Sequence, residues 1–288
     1  MFTKNQSPEI MSDGSAAPLR NEDYDFLCRL IYEHSRIHLG PDKKILVASR
    51  LGKRLREHGL NSYSEYCELL RSPAGPEEMT FLIDRISTNH TTFYREMKHF
   101  DFLRDAVIPL WRAARRGEPF RIWSAASSSG EEPYTIAIHL AEHFAPAESG
   151  RWTIDATDIS TRVLEIAQRG VYEVERLASI APEVLRRHFQ RGSNQWAGHF
   201  RVKDELRQRV TFRHINLLEA NYPFAHAFDL IFCRNVMIYF DRPTQETLVR
   251  QLADKLVPGG HLLVGHSESL SGVRHNLRLV QPAVYHKS

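Results

Sequence analysis

Hydrophobic positions recur at helical spacing from Asn21 to about Ser87. Phe26, Leu27, Leu30 and Ile31 follow at intervals of one and three, and Val47, Leu51 and Leu55 repeat every four residues, the pattern of amphipathic helices. Asn61-Ser62 reads as a cap for a helix through Leu70. Pro73, Gly75 and Pro76 punctuate, and a further helix covers about Glu77 to Ile86. No strand pattern falls in this stretch, so residues 21–87 are expected to form a small all-α domain. Residues 1–20, polar and small, are expected to be a flexible tail.

Residues 88–116 read as a polar, Thr-rich linker and a long helix from about Met97, uneven at Pro109. Then the rhythm changes. Strand-like runs at 120–125, 152–157, 228–233 and 261–265 alternate with helical patterns at 133–144, 160–169 and 243–256. Such alternation implies an α/β domain over 117–288, Rossmann-like, with a mainly parallel sheet covered on both faces. Residues 277–280 and 283–286 flank Gln281-Pro282 and predict an antiparallel strand pair at the C-terminal edge. The stretch from about 170 to 216 is too long for a simple crossover. It carries a helix over 182–190 and strand candidates at 199–202 and 210–215, and is read as an inserted β-ribbon subdomain.

Composition narrows this little. The 288 residues are 42% hydrophobic and 25% charged, and the net charge of +3 does not define a partner. No apolar run approaches the roughly 20 residues of a membrane span, and no secretory signal opens the chain. Cys28, Cys67 and Cys233 stand far apart without a CxxC pair, which fits a reducing, cytoplasmic compartment and no zinc site. His34 and His38 lie four apart, but no third ligand is near, so no metal is expected.

The candidate chemistry gathers where strands end. The stretch from Phe120 to Tyr134 leads a strand through small residues and Gly130 into Glu131, Glu132 and Pro133. Open α/β folds bind nucleotide-like ligands at such a place. Two acids there repel phosphate and suit ribose hydroxyls and a positive charge. S-adenosylmethionine (SAM) has both. Asp155 and Asp158 close the next strand, Asp158 being better placed for a ribose. Asn216-Leu217 follows the strand at 210–215 and offers an amide and an apolar wall for adenine. Cys233 to Phe240 follows the strand at 228–233, and Cys233 itself is read as core.

Thr88-Asn-His-Thr-Thr-Phe-Tyr-Arg95, Ser124 to Tyr134, Ala156-Thr-Asp-Ile159, Asn216-Leu-Leu-Glu219, Phe232 to Asp241 and Gly265-His-Ser-Glu268 together resemble the successive signatures of the CheR-type chemotaxis receptor methyltransferases. The resemblance runs from about Asp23 to the C-terminus. Ser129 and Tyr94 depart mildly, since the family often has Thr and Phe there. The resemblance implies a SAM-dependent protein-glutamate O-methyltransferase that forms glutamate methyl esters on the cytoplasmic helices of chemoreceptors, in chemotaxis adaptation. It implies SAM contacts from Asn89, Thr91, Arg95, Glu132, Asp158, Asn216, Leu217, Arg234 and Asn235, and catalytic places for Arg95 and Tyr239. It implies that the helical domain faces the receptor. In some members the inserted subdomain holds a receptor C-terminal tail; those members often carry an extra Gly near Asn194, which is absent here.

The chemistry asks for little else. A glutamate has a reference pKa near 4.3 and is already a nucleophile near neutral pH, so no general base is required. Arg95 can grip a carboxylate with two parallel hydrogen bonds. Between Lys43 and Arg56 lie six basic residues and no acid. Lys43, Arg50, Lys53 and Arg54 share an arc of roughly 100° on a helix and are read as a positive ridge for acidic receptor helices. Two other readings are a nucleic-acid methyltransferase and a non-catalytic receptor-binding scaffold. Arg234-Asn-Val-Met lacks the Pro pair of base-amine methyltransferases, so no nucleic-acid partner is expected; nor is membrane insertion, and the chain is expected to be a monomer. A nicotinamide dehydrogenase would need a GxGxxG that is missing.

Overall fold

The computed structural model describes residues 18–114, 117–148 and 150–288. Most of the expected tail, residues 1–17, lies outside them. Its last residues are not tail-like: Leu19 is buried, and Arg20 donates to Asp23 at 3.1 Å and to Ser64 at 2.6 Å. Among the described residues the chain divides into two compact units. One holds the residues up to His34 with Leu39–Ile86, the other Ser35–His38 with Ser87–Ser288.

The first unit is built from α1 (Asn21–Ser35), α2 (Lys44–Glu57), α3 (Tyr63–Arg71) and α4 (Gly75–Ile86). Val47, Leu51 and Leu55 form the buried stripe of α2, as their spacing predicts. Ser62 caps α3, and Glu65 reaches back to the residue before the cap. The Ser62 hydroxyl accepts from the Glu65 N–H at 3.3 Å, and the Glu65 carboxylate accepts from the Asn61 N–H at 3.0 Å. Glu78 of α4 is 4% exposed and gathers the unit's polar core. It accepts from Arg54 Nε at 2.9 Å and Nη2 at 2.6 Å, and from the Tyr66 hydroxyl at 2.7 Å.

The second unit begins with one continuous helix in three parts: α5 (Lys98–Phe102), a π-helical turn over Leu103–Val107, and α6 (Ile108–Ala114). Pro109 explains the wide turn, because proline has no N–H to give the carbonyl four residues back and its ring crowds that carbonyl. Next come β1 (Phe120–Ala125), α7 (Glu131–His143), β2 (Trp152–Asp158) and α8 (Thr161–Arg169). Then follow β3 (Val171–Glu173), α9 (Pro182–His188), β4 (Phe189–Arg191), β5 (His199–Val202), α10 (Asp204–Arg207) and β6 (Val210–His214). The chain ends with β7 (Phe228–Cys233), α11 (Arg242–Asp254), β8 (Leu256–Val264), β9 (Leu277–Gln281) and β10 (Val284–Lys287).

Seven strands form one sheet in the order β6-β2-β1-β7-β8-β10-β9. The first five are parallel, and β10 and β9 close one edge antiparallel. Period-two alternation divides its side chains between two cores. Ile122, Leu230, Phe232 and Leu263 join Ile136 and Leu140 of α7 on one side. Trp123, Ala125, Ile231, Leu262 and Val264 join Leu248 and Leu252 of α11 on the other. Strand β8 starts at Leu256, earlier than the pattern at 261–265 predicts, because a register shift between Phe228 and Leu230 accommodates Pro258-Gly-Gly.

The inserted ribbon differs from the sequence expectation. It has three antiparallel strands, in the order β3-β5-β4. Residues 210–214, assigned to the ribbon from sequence, instead form β6, parallel to β2 at the edge of the large sheet. Strands β3 and β4 are three residues each, too short to leave a periodic trace.

Candidate functional site

Strands β1, β2 and β7 end together, and their ends and the segments that follow carry Glu132, Asp158, Arg234, Asn235 and Tyr239. After β1 the chain turns through Ala126 to Gly130 with positive φ at Ala126 (63°), Ser128 (48°) and Gly130 (96°). Only Gly130 takes that conformation freely, and a Cβ there would meet the Tyr172 hydroxyl at 2.7 Å. The two non-glycine residues cost about 1–3 kcal/mol each. Surrounding bonds hold them. Ser127 N donates to Thr157 O at 2.8 Å, Ser128 N to Asp158 Oδ2 at 2.8 Å, and the Ser128 hydroxyl to Asn89 O at 3.0 Å.

Asp158 thus stands at the end of β2 with one oxygen on the turn and the other accepting from Ser160 N at 2.9 Å. It is buried, and an ionised carboxylate only accepts, which suits a hydroxyl donor. Asn89 brings a different signal: its Nδ2 is buried and has no partner. A buried amide donor left open costs about 1–3 kcal/mol, so the position suits a ligand acceptor. Thr91 lines a cleft of about 490 Å³ with Asn89, Thr92, Arg176 and Ser179.

Glu132, in the first turn of α7, accepts from the Ser124 hydroxyl at 2.7 Å and from Arg234 Nη1 at 3.1 Å. Burial raises its pKa above the ordinary carboxylate value, and the Arg234 charge opposes the rise. The Arg234 side chain is 2% exposed. Its Nε and Nη2 reach Glu96 Oε2 at 3.2 and 3.0 Å, and Nη2 also donates to Arg95 O at 2.5 Å. The resemblance makes Arg234 a cofactor contact. Its guanidinium is largely committed to two carboxylates, so its main action in this structure is to join them.

Asn235 has φ of 59°, and its side chain donates to Glu96 Oε1 at 3.3 Å. Glu268 holds the loop that carries it. The Glu268 carboxylate accepts from Asn235 N and Met237 N at 2.7 Å each and from Gly265 N at 2.6 Å. A Cβ on Gly265 would stand 2.5 Å from Asn235 Nδ2, so only glycine fits. Downstream, Tyr239 is half-buried in a short 3₁₀ turn, Met237–Tyr239. Arg95 is half-buried and donates to His90 O at 3.1 Å. Beyond β6, Ile215 N donates to Asp158 O at 3.1 Å, the Asn216 side chain accepts from Leu218 N at 3.1 Å, and Leu217 is buried in the apolar core.

Sequence reasoning did not single out Glu96 or the importance of His99. Glu96, His99 and His266 bring ligand-type atoms within 4.8 Å of one another. Both His99 nitrogens are buried without a hydrogen-bond partner, and burial, then the Arg234 charge, pushes its pKa down to about 3. The Glu96 carboxylate, however, is already filled by Arg234, Asn235 and the His266 N–H. His266 lies 167 residues beyond His99 in the chain, a separation no local pattern spans.

The basic ridge is corrected by the structure. Lys43 and Lys53 are exposed, pairing with Asp42 at 2.8 Å and Glu57 at 3.8 Å. Arg50 turns to the Ile86 carbonyl at 2.5 Å. Arg54 turns inward to Glu78 and stacks over Phe81 with its Cζ 3.9 Å from the ring centre. Helix periodicity locates a face but not the neighbouring helix that presents a buried acid to it.

A strained turn, a strand-end acid, an open amide donor and a buried Arg between two carboxylates are the parts of a SAM-binding methyltransferase domain. Known proteins agree. Residues 89–285 match the family described as CheR methyltransferase, SAM binding domain, and residues 22–87 match CheR methyltransferase, all-alpha domain. The chemotaxis protein methyltransferase of Salmonella typhimurium is 42% identical over 90% of this chain and 88% of its own length. A probable chemotaxis protein methyltransferase of Rhizobium etli is 43% identical over 84% of this chain and 91% of its own. The chain belongs to the CheR methyltransferase family. It is a SAM-dependent enzyme, and the open Asn89 donor and the acceptor carboxylate of Asp158 at the end of β2 fit that cofactor.

Proposed function

We propose that the enzyme methylates glutamate side chains on the cytoplasmic helices of membrane chemoreceptors, in chemotaxis adaptation. Bound SAM supplies a methyl group on a positively charged sulfonium, already a good leaving group. Asp158 would accept from its ribose hydroxyls, and Asn89 and Thr91 would offer polar contacts beside the turn. Asn216 and Leu217 would hold the adenine. Glu132 and Asn235 would complete the pocket, with Arg234 fixing the position of Glu132.

The acceptor carboxylate arrives ionised, so the protein aligns it and excludes water. Alignment of this kind supplies on the order of 7–11 kcal/mol in favourable cases. Arg95 and Tyr239 orient the acceptor. Arg95 has a guanidinium with donors left after its bond to His90, and Tyr239 is reachable at half burial. The observation that carries the reading is the unpartnered Asn89 Nδ2, bound through its own backbone to the strained turn that Asp158 clamps.

Receptor docking is assigned to the helical unit, where Lys43, Lys53 and Ile45, 83% accessible, are exposed. The ribbon is assigned a receptor tail, which would add a strand to an outer strand of the β3-β5-β4 sheet. The enzyme is read as a cytoplasmic monomer, in keeping with three free thiols, and no helix among the described residues is long and apolar enough to cross a membrane. The deciding experiment is transfer of labelled methyl from SAM to chemoreceptor-containing membranes. A base-labile product on the receptor supports the reading. Transfer to nucleic acid, or none to receptor, ends it.

A further inference from the structure

The cofactor turn is held from two directions. From one side Asp158 takes the Ser128 N–H. From the other, the chain returns after α8 and grips Ser129 and Glu131 with the first segment of the inserted ribbon. The Tyr172 hydroxyl of β3 donates to Ser129 O at 2.8 Å. Arg176, four residues on, donates through Nη2 to the Ser129 hydroxyl at 2.8 Å and ion-pairs with Glu131. Next, the Ser179 hydroxyl donates to Phe93 O at 2.9 Å, tying the same segment to the stretch that carries Asn89 and Thr91.

Glu131 is fully buried, whereas the Arg176 side chain is 36% exposed. A carboxylate with no access to water, beneath a turn with two non-glycine residues at positive φ, is an expensive arrangement. An apolar residue of similar size would pack there at lower cost. What the pair adds is direction: it fixes Ser129 and the first residue of α7 relative to the ribbon. Strained backbone persists only where neighbours over-determine it, and Arg176 supplies two of the contacts that do so.

We propose that Arg176, assisted by Tyr172, is a positioning residue for methyl transfer: it acts through Ser129 and Glu131 to hold the Ala126–Gly130 turn in its cofactor-ready shape. The inserted ribbon is then part of the cofactor site's support as well as a surface of its own. This rests on the placement of SAM at that turn.

The test compares Arg176→Gln, Arg176→Lys, Tyr172→Phe and Asp158→Asn in the full-length enzyme. The readouts are the dissociation constant of S-adenosylhomocysteine by calorimetry, the separate KM values for SAM and receptor, and the thermal midpoint. Arg176→Gln is expected to weaken product binding about tenfold, the scale of one lost charged hydrogen bond. KM for SAM should rise with it while KM for receptor stays put. Arg176→Lys, which keeps the charge but loses the fork, should recover part of the loss. If Arg176→Gln does not fold, Tyr172→Phe carries the test, with an expected loss of severalfold. Binding within twofold of the parent in the variant that carries the test, while Asp158→Asn loses binding, overturns the role of Arg176 and leaves the site intact. A lower thermal midpoint with unaltered binding overturns it equally. Unaltered binding in Asp158→Asn removes the cofactor from this turn, and the inference with it.

Discussion

Arg234, at the end of β7, donates to Glu132 in the first turn of α7 at 3.1 Å, and its other donors hold Glu96 at 3.0 Å. One buried cation therefore sets two acids at the rim of the parallel sheet. Arg234→Gln leaves both carboxylates without their counter-charge. Breaking a buried pair in this way costs about 3–5 kcal/mol. Urea unfolding should show a loss of that order, and S-adenosylhomocysteine binding should be lost in calorimetry. A variant as stable as the parent would mean that the network relaxes without cost.

Glu78 gives the helical unit a pH signature. Burial pushes its carboxyl up, but Arg54 and Tyr66 outweigh burial and hold it below its ordinary value of 4.5. Between the two values the unfolded chain binds more protons than the native one, so stability rises with pH there. The contribution of Glu78 is present above about pH 4.5 and lost as pH falls through its native value. Parent and Glu78→Gln should differ most in urea unfolding near pH 7 and converge on acidification. An equal gap at pH 7 and pH 3.5 would contradict the assignment.

Receptor capture by charge is tested at the lysines, since Arg54 is needed for the fold. Lys43→Glu with Lys53→Glu should raise KM for receptor severalfold at low salt, with the difference shrinking as salt screens it. The affinity for S-adenosylhomocysteine should not change. Unaltered receptor kinetics at low salt would leave these lysines as ordinary surface.

Tyr239 is tested by deleting one oxygen. Tyr239→Phe should lower kcat about tenfold, the value of one hydrogen bond of about 1.4 kcal/mol gained in the transition state, with cofactor affinity unchanged. Turnover equal to the parent would remove Tyr239 from the chemistry.

The second unit was largely legible in the sequence because its signals are local. Alternating apolar residues mark β1, β2 and β7, and small residues with Gly130 mark the turn between β1 and α7. What escaped depends on partners distant in the chain. Nothing around Arg54 announces that Glu78 lies beneath it. Glu96 looks like one more acid after Arg95 until Arg234, 138 residues later, closes on it. Glu268 stands in a recognisable motif, but the sequence does not say that it accepts from the backbone N–H groups of Asn235, Met237 and Gly265. Arg176 belongs to a stretch read as insertion, and only the folded chain brings it back to Ser129. The ribbon's short strands and the switch of residues 210–214 into the large sheet are set by pairing, which a single segment does not encode.

The outer strands of the β3-β5-β4 ribbon are three residues long, and β4 ends in Gln190 and Arg191, both solvent-facing. Short, charged margins of this kind are poor templates for copies of the same chain to stack upon. The receptor tail proposed for this ribbon would find only three residues of outer strand to pair with, so side chains would have to supply part of its hold.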